Sequence, residues 1–166
     1  MPAGFGKELK SNYFFELITL IRSSSKNYEK VLDIGTDHGL VLKKAFELRN
    51  IKKGIASDNK FKPLMQAKKN LKKYHVNFYL SDGFDNIKEE FDLALICGMG
   101  VLNIIKILSK APDKSKHFLL GPQGKIEYLL FWLEKNNFEI IEKYQIFDKF
   151  NYLFFKVTKC CIILDY

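Results

Sequence analysis

Cysteine, histidine and tryptophan are scarce in this chain, and long hydrophobic runs are missing from it. The three cysteines, Cys97, Cys160 and Cys161, are odd in number and lack the spacing of metal ligands, so neither a disulfide framework nor a metal site is expected. Apolar stretches such as residues 91–96 and 152–155 are too short to cross a bilayer, and residues 1–6 lack the pattern of a signal peptide. The sequence therefore predicts a cytoplasmic protein with reduced thiols and no membrane partner.

Positive charge is abundant by contrast. The chain carries 27 Lys and Arg residues against 19 Asp and Glu, a net charge of +8 that is sufficient to attract a polyanion such as nucleic acid. Lysine-rich composition from an AT-rich genome would give the same excess on a solvated surface, so both interpretations stay open at this point. The length of 166 residues favours one domain over 1–166, as a monomer or a small oligomer.

Apolar periodicity predicts an α/β chain. Residues 1–26 are read as a leading segment with a helix over 9–21, residues 28–158 as the core and 159–166 as a tail. Strand-like segments at 31–34, 53–57, 76–80, 91–96 and 118–121 alternate with helical segments at 40–48, 61–73, 102–108 and 126–135, and two further strand-like segments, 139–147 and 151–158, follow without a helix. The pattern predicts a Rossmann-like fold, a mostly parallel seven-stranded sheet with helices on both faces and a C-terminal β-hairpin.

One carboxylate follows each of the first three predicted strands. These are Asp33, Asp58 and Asp82, and the ends of parallel strands meet at one edge of the sheet, where Rossmann-like folds bind nucleotides. The turn after the first strand lacks the full G-x-G-x-x-G pattern, and Asp37 would repel a pyrophosphate, which disfavours a nicotinamide-dependent oxidoreductase. A cationic sulfonium ligand suffers no such repulsion. The D-x-G-x-x-x-G spacing from Asp33 resembles the first motif of class I S-adenosylmethionine-dependent methyltransferases.

Four motifs sharpen the resemblance to one family. Asp-Ile-Gly-Thr-Asp-His at 33–38, Ser-Asp-Gly at 81–83, Cys-Gly-Met-Gly at 97–100 and Leu-Gly-Pro-Gln at 120–123 resemble, in order and spacing, the motifs of bacterial tRNA (adenine(22)-N1)-methyltransferases. The resemblance covers about residues 28–158. Gly-Pro-Gln stands where the family has Gln-Pro-Asn, and Val101 replaces its second glycine. The family usually continues into a helical extension, whereas this chain stops at Tyr166, which fits a minimal enzyme, a piece of a longer chain or a paralogue with another specificity.

The resemblance implies S-adenosylmethionine as cofactor, tRNA as partner and transfer of a methyl group to N1 of adenine 22. It implies that the cofactor-binding residues are Asp33, Gly35, Thr36, His38, Asp58, Asn59, Asp82, Gly83 and Gly98. It implies that the residues on the acceptor side are Asp37, Met99 and Gln123, of which Asp37 is the candidate for stabilising charge on the target adenine. Lys125, Lys7 and Lys10 are candidate phosphate contacts.

Each acceptor-side residue also has a structural interpretation. Asp37 is a candidate cap for a helix beginning near His38, Met99 a candidate core residue and Gln123 a candidate helix start. His38 is as readily a core histidine as a substrate contact. Two other functions stay open: a class I methyltransferase acting on a small molecule or protein, and a non-catalytic methyltransferase-like RNA-binding module.

Overall fold

A computed structural model describes residues 11–21, 28–112 and 116–160. The sequence predictions for Lys7, Lys10 and Cys161 lie outside these residues. In chain order the elements are α1 Ser11–Ile21, β1 Lys30–Ile34, α2 Leu40–Glu47, β2 Lys53–Asp58, α3 Phe61–Asn70, β3 Val76–Leu80, β4 Leu93–Gly100, α4 Val101–Leu108, β5 His117–Gln123, α5 Ile126–Lys135, β6 Phe138–Phe147 and β7 Asn151–Lys159.

The strands form one seven-stranded sheet in the order β3-β2-β1-β4-β5-β7-β6. Neighbouring strands from β3 to β5 pair in parallel, while β7 lies antiparallel between β5 and β6. The connection order reverses beside β1, because β2 lies on one side of it and β4 on the other. This reversal opens a crevice at the carboxyl ends of the strands. The predicted Rossmann-like fold with a C-terminal hairpin is confirmed.

The core lies in two layers on opposite faces of the sheet. Val31 packs in the layer with α1, α2 and α3, whereas its neighbour Leu32 packs in the layer with α4 and α5. Successive strand residues point to opposite faces, so the central strands are apolar on both sides. This explains why β4 appears in the sequence as a continuous apolar run, and β1 as a run that only Asp33 interrupts, rather than as alternating patterns.

Two predicted boundaries differ most from the structure. Helix α3 ends at Asn70 rather than at residue 73, because the backbone of its C-cap, Leu71, leaves the helical conformation with a φ of −104° and a ψ of 7°. Strand β4 does not end at residue 96 but continues to Gly100, because its pairing with β5 resumes beyond a bulge, with Gly100 opposite Gln123. The bulge places the Gly-Met-Gly motif within the end of the strand. Among the described helices, none is long and apolar enough to span a membrane.

Candidate active site

A pocket opens where the carboxyl ends of β1, β3 and β4 face α4. Ile34, Met99 and Ile107 form its apolar wall, and Asn59, Asp82 and Lys106 are among its polar lining. Gly35 and Gly83 also line it, so the pocket brings together four of the predicted cofactor-binding residues and Met99. The remaining predicted residues lie around it, in the loop after β1, at the end of β2 and at the ends of β4 and β5.

The loop after β1 is held against β2 by backbone hydrogen bonds. The N–H groups of Gly35 and Thr36 both donate to the carbonyl of Ser57, at 2.9 Å each. Gly35 has a φ of 73°, a left-handed conformation that favours glycine, and a Cβ at this position would lie 2.6 Å from Cε of Met99. The loop thus brings bare backbone to the pocket, with the Met99 side chain directly opposite.

Asp33 lies behind this loop rather than in the pocket lining. Its carboxylate is 6% exposed and accepts a hydrogen bond of 2.8 Å from Oγ1 of Thr36. Burial raises the pKa of Asp33 to about 7, the Thr36 hydrogen bond opposes that shift, and the charges of Asp58 and Asp37 add to it. Asp33 therefore carries a proton in the folded protein at pH values where an exposed aspartate has lost it.

Because Asp33 is buried, we expect the stability of the folded chain to fall as the pH rises. Between the ordinary aspartate pKa and about 7 the folded chain binds one proton more at Asp33 than the unfolded chain, so the free energy of unfolding decreases as the pH rises through this window. Asp33→Asn removes this dependence. We expect the melting temperature of Asp33→Asn, relative to that of the natural chain, to rise from pH 5 to pH 8. A constant difference between the two melts would show that Asp33 is ionised throughout.

Asp58, at the end of β2, organises two loops at once. It is 7% exposed; one carboxylate oxygen accepts from the N–H of Asp37 at 3.0 Å and the other from the N–H of Lys60 at 2.9 Å. Each oxygen keeps a further lone pair. Asp58 therefore fixes the backbone of the loops after β1 and β2 and retains capacity to accept from ligand hydroxyls. Its exposed neighbour Asn59 reaches the pocket lining.

Asp82 presents a carboxylate within the pocket. Nζ of Lys106 lies 2.6 Å from it, and this hydrogen bond, with the charge of Lys106, holds the pKa of Asp82 below its ordinary value. The turn that carries Asp82 is fixed by Ser81, whose hydroxyl donates to the carbonyl of Gly83 and accepts from the N–H of Asn86. The carboxylate is thus ionised and held on a rigid turn.

Sequence reasoning missed the contribution of α4. Asn103, Lys106 and Ile107 of α4 line the pocket, and Lys106 and Ile107 follow Asn103 at intervals of three and four residues. Residues at such intervals share one face of a helix. The signal was therefore present in the spacing after the Gly-Met-Gly motif, but none of these residue types marks a nucleotide site by itself.

The structure excludes one alternative for Asp37. Helix α2 begins at Leu40 with Gly39 as its N-cap and no side-chain cap, so Asp37 does not cap this helix. Its φ is 51°, its N–H is bound to Asp58, and its side chain is 44% exposed at the carboxyl edge. Nε2 of His38, 45% exposed, lies 3.7 Å from its carboxylate. A partly exposed carboxylate on an anchored backbone remains beside the crevice.

The end of β5 supplies the other acceptor-side candidate. Gln123 is exposed and lies opposite Gly100 in the sheet, next to the Gly98 and Met99 backbone, where Gly98 has a φ of 73°. Gln123 does not start a helix, because the N-cap of α5 is Lys125. Met99 is partly buried against the α4 and α5 layer, and it lines the pocket as well.

The pocket chemistry fits a nucleoside that carries positive charge. Apolar side chains can contact a flat ring, Asp82 can accept from an amine, and the edge carries Asp37 and Asp58 but no phosphate-binding glycine loop. Within the described ranges no group of three or more His, Cys, Asp or Glu residues could hold a metal ion. Electrostatics thus favour a cationic ligand over a pyrophosphate.

Comparison with known proteins identifies a family and several relatives of this chain. The family described as "Methyltransferase domain" matches residues 16–155. A "Putative tRNA methyltransferase" of Mycoplasma pneumoniae is 33% identical over 132 residues, which are 76% of this chain and 62% of that protein. The "tRNA (adenine(22)-N(1))-methyltransferase" of Bacillus subtilis is 29% identical over 119 residues, 67% of this chain and 50% of that protein. The chain therefore spans about half to three fifths of the length of these curated relatives.

Solved structures agree on the fold. TrmK of M. capricolum in complex with S-adenosyl-homocysteine superimposes with a TM-score of 0.77 at 25% identity, covering 92% of this chain and 70% of that one. Ribosomal protein L11 methylase from Lactobacillus delbrueckii subsp. bulgaricus reaches 0.72 at 16% identity, covering 89% and 80%. A methylase named for a ribosomal protein thus shares this architecture with TrmK, and the fold alone does not select the acceptor. The match over residues 16–155 shows that this chain belongs to the methyltransferase domain family.

Proposed function

We propose that this chain binds S-adenosylmethionine and transfers its methyl group to N1 of adenine 22 in tRNA. The observation that carries the proposal is the crevice at the strand ends, where the Asp82 carboxylate and the backbone of Gly35 line a pocket with an apolar wall, and where Asp58 anchors the loop beside it. The tRNA methyltransferases among its relatives support the choice of acceptor. Since tRNA is the proposed substrate, we also propose that the protein acts in the cytoplasm.

The pocket residues have separate roles in holding the cofactor. Asp82 accepts a hydrogen bond from the exocyclic amine of its adenine, and the remaining lone pairs of Asp58 accept from its ribose hydroxyls. The bare backbone at Gly35 allows close approach of its methionine part. When bound, S-adenosylmethionine supplies an electrophilic methyl group on a positively charged sulfur. Lys106 occupies only one of the two Asp82 oxygens, at 2.6 Å, so the other oxygen is able to accept from the amine.

On the acceptor side the chain positions the target base. N1 of adenine keeps its lone pair at neutral pH, so no strong base is needed to activate it, and near-attack positioning can contribute about 7–11 kcal/mol. The backbone at Gly98 and the Met99 side chain offer a flat base close contact, and Gln123 can hydrogen-bond its edge. Asp37 accepts from the N6 amine, which becomes more acidic as the ring acquires positive charge, and its carboxylate stabilises that charge.

Transfer of labelled methyl groups tests this function. The reaction is run with unmodified tRNA transcripts that carry adenine or guanine at position 22. Label on the adenine transcript alone is the expected result. Label on both transcripts would retain the methyltransferase but reject the site, and label on neither, with S-adenosyl-homocysteine still bound in calorimetry, would assign the chain another substrate or a binding role.

Asp58→Ala is expected to weaken the binding of S-adenosyl-homocysteine at least about tenfold, because hydrogen bonds to charged groups contribute about 1.5–3 kcal/mol. Both loops that Asp58 anchors also lose a backbone partner. Titration calorimetry measures the affinity, and a thermal melt establishes that the variant folds. Asp85→Ala is the matched control, since Asp85 lies on the loop next to Asp82 but pairs with Lys110 away from the pocket lining. Equal affinities for all three proteins would remove Asp58 from the cofactor site.

A further inference from the structure

The cofactor pocket occupies only one half of the carboxyl edge, and the β6-β7 hairpin closes the other half. We call residues 147–152 the hairpin tip. β5 and β7 pair with Leu120 opposite Phe155, and extending this register by three residues places Gln123 level with Tyr152. Gly121 confirms the continuation, because a Cβ there would lie 2.8 Å from Phe154. Since neighbouring strands are about 4.8 Å apart, the hairpin tip begins beside the acceptor-side end of β5.

The hairpin tip exposes two large aromatic side chains on an ordered turn. Phe147 is 76% and Phe150 65% exposed. The N–H of Asp148 donates to the carbonyl of Phe150 at 3.1 Å, and the side chains of Gln145 and Asn151 are hydrogen-bonded at 2.7 Å across the strands. The Phe150 ring also contacts that of Tyr152 edge to face, at 6.5 Å between centroids. Phe150 is therefore held in place for a partner, which lowers the entropy lost on binding.

Two lysines lie at this part of the carboxyl edge, one in the hairpin tip and one just after β5. Lys149 in the hairpin tip and Lys125 at the start of α5 form no ion pair with any described residue. Other lysines are neutralised by acids on neighbouring elements, in the pairs Lys30 with Glu89, Lys52 with Glu29, Lys110 with Asp85 and Lys116 with Glu90. An exposed aromatic ring flanked by unpaired lysines is the combination with which proteins bind a single-stranded nucleic acid.

We propose that the hairpin tip contacts RNA on the acceptor side, with Phe150 stacking on an unpaired base and Lys149 and Lys125 binding the flanking phosphates. This rests on the proposed function in taking RNA as the acceptor. Adenine has to leave its stack before N1 can reach the crevice, and its neighbours in the strand are then unstacked as well. An aromatic ring beside the end of β5 offers such a neighbour a replacement surface.

Binding of an unmodified tRNA transcript tests the proposal. Phe150→Ala is expected to weaken tRNA binding about 5- to 100-fold, the effect of removing a stacking aromatic ring, and to leave the affinity for S-adenosyl-homocysteine unchanged. Lys149→Ala is expected to reduce the dependence of log affinity on log salt by about one unit, the effect of one phosphate contact. Phe131→Ala is the matched control, because Phe131 is 58% exposed and carries Lys135 at 5.6 Å over its ring, but it lies on α5 more than one turn from the edge.

The outcomes separate this proposal from the function it rests on. If the natural chain binds and methylates tRNA while Phe150→Ala behaves like Phe131→Ala, the hairpin-tip proposal is overturned and the function stands. If the natural chain binds S-adenosyl-homocysteine but not tRNA, both the proposal and the tRNA acceptor are wrong. Sedimentation of the natural chain as a dimer that Phe150→Ala dissociates, with unchanged tRNA affinity, would assign the hairpin tip to a second copy and overturn the RNA contact.

Discussion

Gly35→Val is expected to weaken the binding of S-adenosyl-homocysteine at least about 100-fold. Gly35 has a φ of 73°, where a left-handed backbone costs a side-chain-bearing residue about 1–2 kcal/mol. Its Cβ would lie 2.6 Å from Cε of Met99, which is the far end of a flexible side chain, so the valine displaces Met99 rather than the backbone. Met99 lines the pocket, so a displaced Met99 side chain occupies the space that the ligand needs. Titration calorimetry measures the affinity.

Gly124→Val separates strain from crowding. Gly124 has nearly the same backbone conformation, with a φ of 68°, but no atom lies within 4 Å of a Cβ at this position. The variant therefore carries the backbone strain without the contact to Met99, and we expect its cofactor affinity to stay close to that of the natural chain. A similar loss in both variants would assign the effect to strain, and full affinity in Gly35→Val would place the cofactor elsewhere.

The fold could be predicted because its core strands have an unambiguous pattern. Residues 31–34, apart from Asp33, and residues 93–96 are apolar on both faces, as in parallel sheets covered by helices. The missing helix between 147 and 151 indicates a hairpin. The extension of β4 to Gly100 could not be predicted in the same way. It depends on partners in β5, more than 20 residues further along the chain, and two glycines with a methionine have no strand preference of their own.

The sequence predicts the positions of those site residues that lie at strand ends. The position of Asp58 and Asp82 at the carboxyl edge was predictable, because parallel strands deliver their last residues to one edge. Lys106 was missed because a lysine on a helix is usually solvated, and only the packing of α4 against the turn after β3 brings it to Asp82. The burial that raises the pKa of Asp33 is equally a property of the assembled layers and not of the motif around it.

Asp37→Asn is expected to lower the turnover of tRNA about 100- to 1000-fold, the usual cost of removing one preorganised electrostatic group from an active site. Asparagine tolerates the left-handed conformation that Asp37 adopts at a φ of 51°, so the loop after β1 keeps its path and its N–H still reaches Asp58. Single-turnover methyl transfer measures the chemical step. Asp85→Asn, which removes a carboxylate outside the pocket lining, is the matched control.

Comparison of the rate constant with the binding affinities of Asp37→Asn identifies the role of Asp37. A carboxylate that stabilises the charged adenine acts in the transition state, so its loss lowers the rate constant and leaves the affinities for tRNA and S-adenosyl-homocysteine within about threefold. Equal losses in rate and tRNA affinity would instead make Asp37 a binding residue. An unchanged rate would mean that the half-exposed Asp37 carboxylate takes no part in the reaction, and the structure excludes the helix-capping alternative as well. Charge on the adenine would then have to be stabilised from β5, where Gln123 lies opposite Gly100.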